Sequence, residues 1–264
     1  GIVIFILSTT FSFAQKEKVK GSKIVTVTQK DVAEFENLEI RDNLEVFLIK
    51  GDKCSVEIEA DDNLHESIDI KATGKMLTLS STKQISGAKK YSVRVTYTDG
   101  FKMLTAKNDA NITALAELNL ANFTFKIFDN VKLYANVNAK TFTLMADGKS
   151  KTELNLKSED ATIELSKNSQ LKALIAATQM KFDMYQKSTA TIEGDVIDFK
   201  LRMDNYTDFM GMKLASKNTL LVAEGNADCD VNVGTKLILD AKGKSDIRLY
   251  GEQKIEIKNF LDSV

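Results

Sequence analysis

The chain has 264 residues, of which 28% are charged and 43% hydrophobic, and its formal net charge at pH 7 is −1. This length allows one large domain or two small ones, and the balanced charge offers no positive surface to nucleic acid or to an anionic membrane. Arginine is scarce and tryptophan is absent, which argues against phosphate-binding and sugar-stacking sites.

The first predicted element is an export signal over residues 1–14, GIVIFILSTTFSFA. Its apolar run ends in Ser12-Phe13-Ala14, a small-x-small cleavage motif, and is shorter than the about 20 apolar residues of a membrane span. No cysteine follows the motif, which argues against a lipoprotein. We expect a leader truncated at its N-terminus, a mature chain that begins at Gln15 and is periplasmic, surface-exposed or secreted, and no membrane span after cleavage. The alternative is a buried apolar strand or helix.

A lead-in over residues 15–34 is followed by an irregular β region over residues 35–110. The segments LEVFLIKGDKCSVEIEADDN, KMLTLSS and YSVRVTYTDG alternate apolar and polar residues and are joined by Gly-Asp and Asp-Gly turns, which is typical of short strands. We interpret this region as atypical N-terminal coils and a cap, because the end of a stack of strands needs protection from edge pairing.

Residues 111–264 contain a repeat of about 19 residues, visible when the sequence is written in lines of that length. Large apolar residues occupy one column: Phe125, Leu144, Ile163, Phe182, Leu201, Leu220 and Leu239. A second apolar column lies two positions further on: Ile127, Ala146, Leu165, Met184, Met203, Val222 and Ala241. Polar residues between the columns give the period-2 alternation of a strand with one buried face. A slip at Cys229 predicts a bulge or a longer corner in that coil.

Each repeat contains a corner with a column of small or polar residues: Ser150, Ser169, Ser188, Thr207, Asn226 and Ser245. Such residues, with nearby glycines and asparagines, favour tight turns. We expect the hydroxyls to lie near solvent, where they satisfy the turn or form a ladder of hydrogen bonds. A row of nucleophilic serines is the alternative, but it lacks a base, because the only histidine, His65, lies outside the repeats.

These patterns predict an all-β fold, a single-stranded right-handed parallel β-helix (β-solenoid) with coils of about 19 residues. No linker-like segment divides the chain, so one domain is preferred over two. The two cysteines, Cys54 and Cys229, stand in alternating strands, where buried free thiols are expected rather than a disulfide.

The segment FENLEIRDNLEVFLIKGDKCSVEIEADDNL, residues 35–64, resembles the opening of the family named putative auto-transporter adhesin, head GIN domain. AKGKSDIRLYGE, residues 241–252, is similar to that family's Gly-Ala-Ser corner repeats, although most other corners depart from them. The resemblance covers residues 35–264. It implies an exported or surface-associated bacterial protein with a right-handed parallel β-helix, and it provides no catalytic residues.

Three functions remain open. The first is a non-enzymatic surface or envelope protein that binds a polysaccharide or a protein along its flank, and the second is a structural envelope component. The third is a carbohydrate-active enzyme, because lyases and hydrolases also use this fold. The acidic pairs Asp61-Asp62 and Asp228-Asp230 fit a turn and a solvated face better than the converging acids of such an enzyme. Asp183 and Arg202 are expected to form a surface ion pair. No catalytic residue, metal site or cofactor is predicted.

Overall fold

The strands stack into a parallel β-solenoid of about 8 turns with about 19 residues in each coil. The structure is a computed structural model that describes residues 16–262. The predicted leader, residues 1–14, and the cleavage point before Gln15 lie outside the described residues. Strands account for 70% of the chain and helix for 2%, so the predicted all-β parallel solenoid is confirmed.

The regular part of the stack consists of seven long parallel strands. Their bounds are β12 Leu118–Ile127, β13 Lys132–Ala146, β14 Lys151–Leu165, β15 Gln170–Met184, β16 Thr189–Asp204, β17 Asp208–Glu224 and β18 Asp228–Lys242. Each pairs in parallel with the next. A single coil cannot cover its own apolar side chains, so these become buried only when further coils stack above and below it.

Each long strand crosses a bend that divides it between two faces of the solenoid. In β13 the buried positions alternate up to Ala139, two outward residues follow at Lys140 and Thr141, and the alternation resumes at Phe142. The inward side chains form one continuous core. Cys54 and Cys229 are both buried and free, as predicted.

Tight turns separate successive strands, and each contains a residue with left-handed backbone angles. These residues are Asp129, Gly148, Lys167, Gln186, Asn205, Gly225 and Gly243. Glycine and asparagine were expected at this position, because they adopt left-handed backbone angles readily. Lys167 and Gln186 have the same angles although their residue types do not favour them.

The slip predicted at Cys229 is present and originates in β17: Ala190 pairs with Phe209, 19 residues on, whereas Phe209 pairs with Cys229, 20 residues on. Thr191 of β16 pairs with Met210 of β17, but Gly194 pairs with Leu214, so β17 has one extra residue between these two pairs. The next coil compensates for it. Gly211 of β17 pairs with Val231 of β18 and Leu221 pairs with Leu239, so β18 is the shorter strand between those pairs.

The shift corrects the two apolar columns of the sequence prediction. Leu201 pairs with Leu221 and not with Leu220, and Met203 pairs with Ala223 and not with Val222. Leu221 and Ala223 are fully buried, whereas Leu220 and Val222 lie on the outer side and are half-buried. The prediction assumed coils of uniform length, which does not hold here. A long coil is followed by a short one, so the extra residue is offset and Leu239 lies in the predicted column.

The N-terminal part contains short strands and a 3-10 helix, Asp62–Ser67. The strand bounds are β1 Lys18–Lys20, β2 Val25–Asp31, β3 Asn37–Ile40, β4 Glu45–Lys50, β5 Ser55–Asp61, β6 Ile68–Thr73, β7 Met76–Ser81, β8 Gln84–Ser86, β9 Tyr91–Tyr97, β10 Met103–Ala106 and β11 Asn111–Ala114. The parallel stack continues through β3, β4, β7 and β9. Three antiparallel pairings, β2 with β5, β5 with β9 and β6 with β7, depart from it.

The C-terminal part is a last coil formed by β19, Asp246–Tyr250, and β20, Lys254–Leu261, both of which pair with β18. Among residues 16–262, no helix has the length and hydropathy needed to cross a membrane.

Candidate functional site

The predicted corner column is a buried column inside the solenoid. Ser150, Ser169, Ser188 and Thr207 lie one above the next with at most 1% exposure. Their carbonyl groups accept hydrogen bonds from the backbone N–H groups of the following coil, for example Asp208 N–H to Ser188 O at 3.2 Å. The column therefore joins the turns through the backbone, away from solvent.

The hydroxyls of these four residues have no hydrogen-bond partner within the described part of the chain, and neither does the buried Thr152 hydroxyl. The expectation of solvent-facing hydroxyls or of a hydroxyl ladder is therefore wrong. The single histidine, His65, does not lie beside them: its imidazole is 2.8 and 2.9 Å from the hydroxyls of Thr26 and Thr28. Small size explains their selection, because a larger side chain would not fit inside the turn.

Two members of the predicted column differ from the other four. Asn226 is exposed, and Ala227 takes its place because of the extra residue in β17; Asp246 N–H donates to Ala227 O at 2.8 Å. Ser245 does lie in the column and is fully buried, and its hydroxyl donates to Lys242 O at 3.1 Å.

This difference predicts opposite effects of two serine-to-alanine changes. Ser188→Ala removes an unpaired buried hydroxyl and should raise the free energy of unfolding by up to about 1 kcal/mol. Ser245→Ala removes a hydrogen bond and should lower it by about 0.5–1.5 kcal/mol. Urea unfolding followed by circular dichroism measures both. Equal destabilisation by the two changes would show that the Ser188 hydroxyl has a partner in solution.

The acidic pairs found in the sequence are engaged by the protein itself. Arg248 donates to Asp230 Oδ1 at 2.5 Å, to Asp246 Oδ2 at 3.1 Å and to Asp228. Burial, and then the nearby Asp228, raise the pKa of Asp208. This corner is a cluster of carboxylates around one guanidinium on the surface, where such ion pairs contribute little to stability.

Asp61 is fully buried, and its carboxylate accepts hydrogen bonds from the backbone N–H groups of Lys23, Lys89 and Lys90 at 2.8–3.2 Å. Burial acts to raise the pKa of Asp61, but these three donors hold it below its usual value. The ionised side chain joins the lead-in to the loop before β9 and has no capacity left for a substrate.

The expected ion pair between Asp183 and Arg202 does not form. Their strands place them side by side, but Asp183 pairs with Lys181 at 2.7 Å and Arg202 approaches Glu224 at 3.9 Å. Among residues 16–262, no group of three His, Cys, Asp or Glu side chains is arranged to hold a metal ion.

A shallow depression on the outer face after the turn corner is a candidate binding site. It has two parts, of about 390 and about 250 Å³, which share Tyr134 and Glu153. We call it the flank trough. The outward side chains that line it are Asn111, Thr113, Lys132, Tyr134, Lys151, Glu153, Asn155, Lys172, Leu174, Thr191 and Glu193. It extends from β11 to β16, which is roughly 20 Å at about 4.8 Å per strand.

Two apolar side chains are exposed in the flank trough. Tyr134 is 47% exposed and Leu174 is 54% exposed, although both stand at outward positions where most neighbours are polar. A tyrosine or leucine in an outward column is the sequence signal that could have identified this site.

The charged groups of the flank trough are partly unpaired. Glu153 and Lys172 occupy paired positions on adjacent strands, yet neither makes a salt bridge within the described residues. Glu193 pairs with Lys213 at 3.1 Å, and Asn155 Nδ2 donates to Asn136 Oδ1 at 2.6 Å. The flank trough thus presents two apolar contacts beside a carboxylate and an ammonium group that form no ion pair with the described part of the chain.

Comparison with known proteins identifies a family and a fold. The family described as "Putative auto-transporter adhesin, head GIN domain" matches residues 34–252. No curated protein matches the chain.

Several solved structures share the fold, among them three from Parabacteroides. Structures described as putative adhesins from Parabacteroides distasonis ATCC 8503 and Parabacteroides merdae ATCC 43184 are 17% and 16% identical, with TM-scores of 0.67 and 0.63. Each alignment covers 94% of this chain, and 100% and 98% of the respective relative. A structure described as a putative lipid binding protein from Parabacteroides distasonis ATCC 8503 is 10% identical, has a TM-score of 0.60, and is aligned over 94% of this chain and 100% of its own.

Proposed function

The chain belongs to the family described as "Putative auto-transporter adhesin, head GIN domain", and on this premise we propose that it is an exported, non-enzymatic envelope protein whose flank trough binds an extended segment of another protein. The signal predicted over residues 1–14 supports export. The description of the family and of its solved relatives as adhesins supports a place at the cell surface.

The observation that carries the proposal is the pair of exposed apolar side chains beside unpaired charges. Tyr134 and Leu174 expose about half of their surface to water, and apolar anchors surrounded by polar groups are typical of protein-binding surfaces. The trough length of roughly 20 Å accommodates about six residues of extended polypeptide at about 3.3 Å per residue. A polypeptide also supplies both signs of charge, which Glu153 and Lys172 would pair with.

A protein segment fits this surface better than a polysaccharide does. Sugar rings stack on aromatic side chains, and within the trough only Tyr134 is aromatic, whereas Leu174 contacts apolar side chains better than it contacts hydroxyl-rich rings. The whole sequence contains few arginines and no tryptophan, which also argues against a polysaccharide ligand.

The non-enzymatic part of the proposal is supported by the state of the acidic clusters. A glycosidase needs two carboxylates free to act on one bond. Here Asp228, Asp230 and Asp246 bind Arg248, and Asp61 binds backbone donors in the interior.

Selection from a random peptide library on the immobilised protein tests the proposal. We expect enriched peptides that contain an apolar anchor and charges of both signs. Tyr134→Ala should weaken their binding by about tenfold or more, as expected for loss of a central anchor.

The matched control is Tyr206→Ala, which removes a tyrosine that is 64% exposed at a turn outside the trough and should leave binding unchanged. Equal loss in both variants, or binding only to members of a glycan array, would contradict the proposal.

A further inference from the structure

Charge is segregated along the outer face that contains the flank trough. Three lysines, Lys132, Lys151 and Lys172, point outward from β13, β14 and β15. The outward carboxylates of this face lie mainly on the following coils: Glu193, Asp195, Asp208, Asp228, Asp230 and Asp246. Lys213 and Arg248 offset only part of that negative charge. Beyond the bend, by contrast, β16 carries both signs of charge on one strand.

The three lysines form a compact group, which we call the lysine cluster. Lys132 and Lys151 occupy paired positions on adjacent strands, about 4.8 Å apart. Lys172 lies one strand further and at the next outward position, roughly 8 Å from Lys151. Tyr134 is the outward residue that follows Lys132 on β13. Because lysine has a flexible stem, a group bound on Tyr134 lies within reach of these ammonium groups.

The charge of the lysine cluster is not neutralised within the described part of the chain. None of its three lysines forms a salt bridge with residues 16–262. Glu153 lies at the position paired with Lys172, and it is one carboxylate against three cations; Glu193 pairs with Lys213 at 3.1 Å. Like charges at paired positions of a sheet are unfavourable, so an anionic partner would relieve the repulsion between Lys132 and Lys151.

We infer that the segment bound by the flank trough is acidic, with neighbouring carboxylates on the lysine cluster and an adjacent apolar residue on Tyr134. This inference rests on the proposed function, because it names the charge of the segment that the flank trough binds. A cation of the segment would pair with Glu153. The segment therefore carries both signs of charge, with carboxylates in excess.

A short acidic stretch of polypeptide fits this surface better than a continuous polyanion does. The lysine cluster spans three strands, roughly 10 Å from β13 to β15. A charged polysaccharide that extended along the flank trough would bring its next anionic groups against Glu193 and Asp195 on β16, where like charges repel. An anionic bilayer would meet the same carboxylates. A polypeptide can place carboxylates at one end and uncharged residues over β16.

The peptides selected on the immobilised protein provide the probe. We expect acidic residues to outnumber basic ones in them and to stand next to the apolar anchor. Fluorescence anisotropy measures the affinity of the most enriched peptide. A version with every glutamate and aspartate replaced by glutamine and asparagine should bind about tenfold more weakly. Raising NaCl from about 50 to about 500 mM should also weaken the binding of the acidic version.

Charge reversal on the protein locates the contact. Lys132→Glu and Lys151→Glu should each raise the dissociation constant of the acidic peptide by about tenfold or more. A peptide with lysines in place of its acidic residues should bind Lys151→Glu more tightly than it binds the unchanged protein. The matched control is Lys200→Glu, which reverses an exposed lysine on the outer face beyond the bend and should leave binding unchanged. Circular dichroism checks that each variant is folded.

The outcomes separate this inference from the proposed function. Enriched peptides that depend on Tyr134 but have no acidic excess, or that bind Lys151→Glu undiminished, would overturn the inference and leave the proposed function standing. Equal loss with Lys200→Glu would overturn the inference, and so would tighter binding to polygalacturonate or to phosphatidylglycerol vesicles than to the peptide. A selection that enriches no peptide would overturn both.

Discussion

Truncation of Leu221 to alanine will lower the free energy of unfolding by about 2–5 kcal/mol, whereas truncation of its neighbour Leu220 will lower it by less than about 1 kcal/mol. Leu221 is completely buried between Leu201 and Leu239. Removing its methyl groups leaves a cavity that coils on both sides cannot easily fill. Leu220 pairs with Lys200 on the outer face, where truncation leaves no enclosed space.

Urea unfolding of the two variants, measured side by side, distinguishes the register found in the structure from a strictly uniform repeat. The uniform repeat places Leu220 in the core and Leu221 outside it. A larger loss for Leu220→Ala than for Leu221→Ala would therefore contradict the extra residue in β17.

The second large effect is expected at Gly194, which faces the backbone of the preceding coil. An added Cβ would lie 2.0 Å from the carbonyl oxygen of Ile175, and the residue has a φ of +116°. Gly194→Ala should therefore destabilise the protein by about 2–6 kcal/mol, since a strained backbone conformation and an overpacked contact each cost about 1–3 kcal/mol.

Gly74→Ala is the control that separates the two causes. Gly74 also has a positive φ, +58°, but an added Cβ would meet nothing within 4 Å. Only the conformational cost of about 1–2 kcal/mol remains there. Thermal and urea unfolding of both variants measures the difference, and equal losses would show that strands β15 and β16 can separate to admit the methyl group.

The fold could be predicted from the sequence because every coil repeats the same alternation of apolar and polar residues. Inward positions such as Phe125, Leu144 and Ile163 must be apolar in every coil, so the period remains visible although few letters are repeated. The corner column was detected for the same reason, since only small residues fit there.

The register of β17 could not be predicted from that pattern. Apolar residues stand at both Leu220 and Leu221, and at both Val222 and Ala223, so polarity does not decide which of each pair points inward. Only the pairing of β17 with β16 and β18 decides it. The misplacement of Asn226 in the corner column follows from the same ambiguity.

The flank trough could not be predicted from the sequence for a different reason. Tyr134 and Leu174 belong to adjacent outward columns, and they come together only when the coils are stacked.

The irregular coil of β17 has a consequence for communication within the molecule. Its extra residue is absorbed in one coil and compensated in the next, so the columns beyond it return to register. In such a stack each coil interacts only with its neighbours. A local rearrangement therefore does not switch the whole protein between two conformations, which allosteric coupling requires. The flank trough ends at β16, and β17 and β18 separate it from β20. Occupancy of the flank trough should therefore leave the coil formed by β19 and β20 unchanged, so binding there should have no allosteric effect on the C-terminal part of the stack.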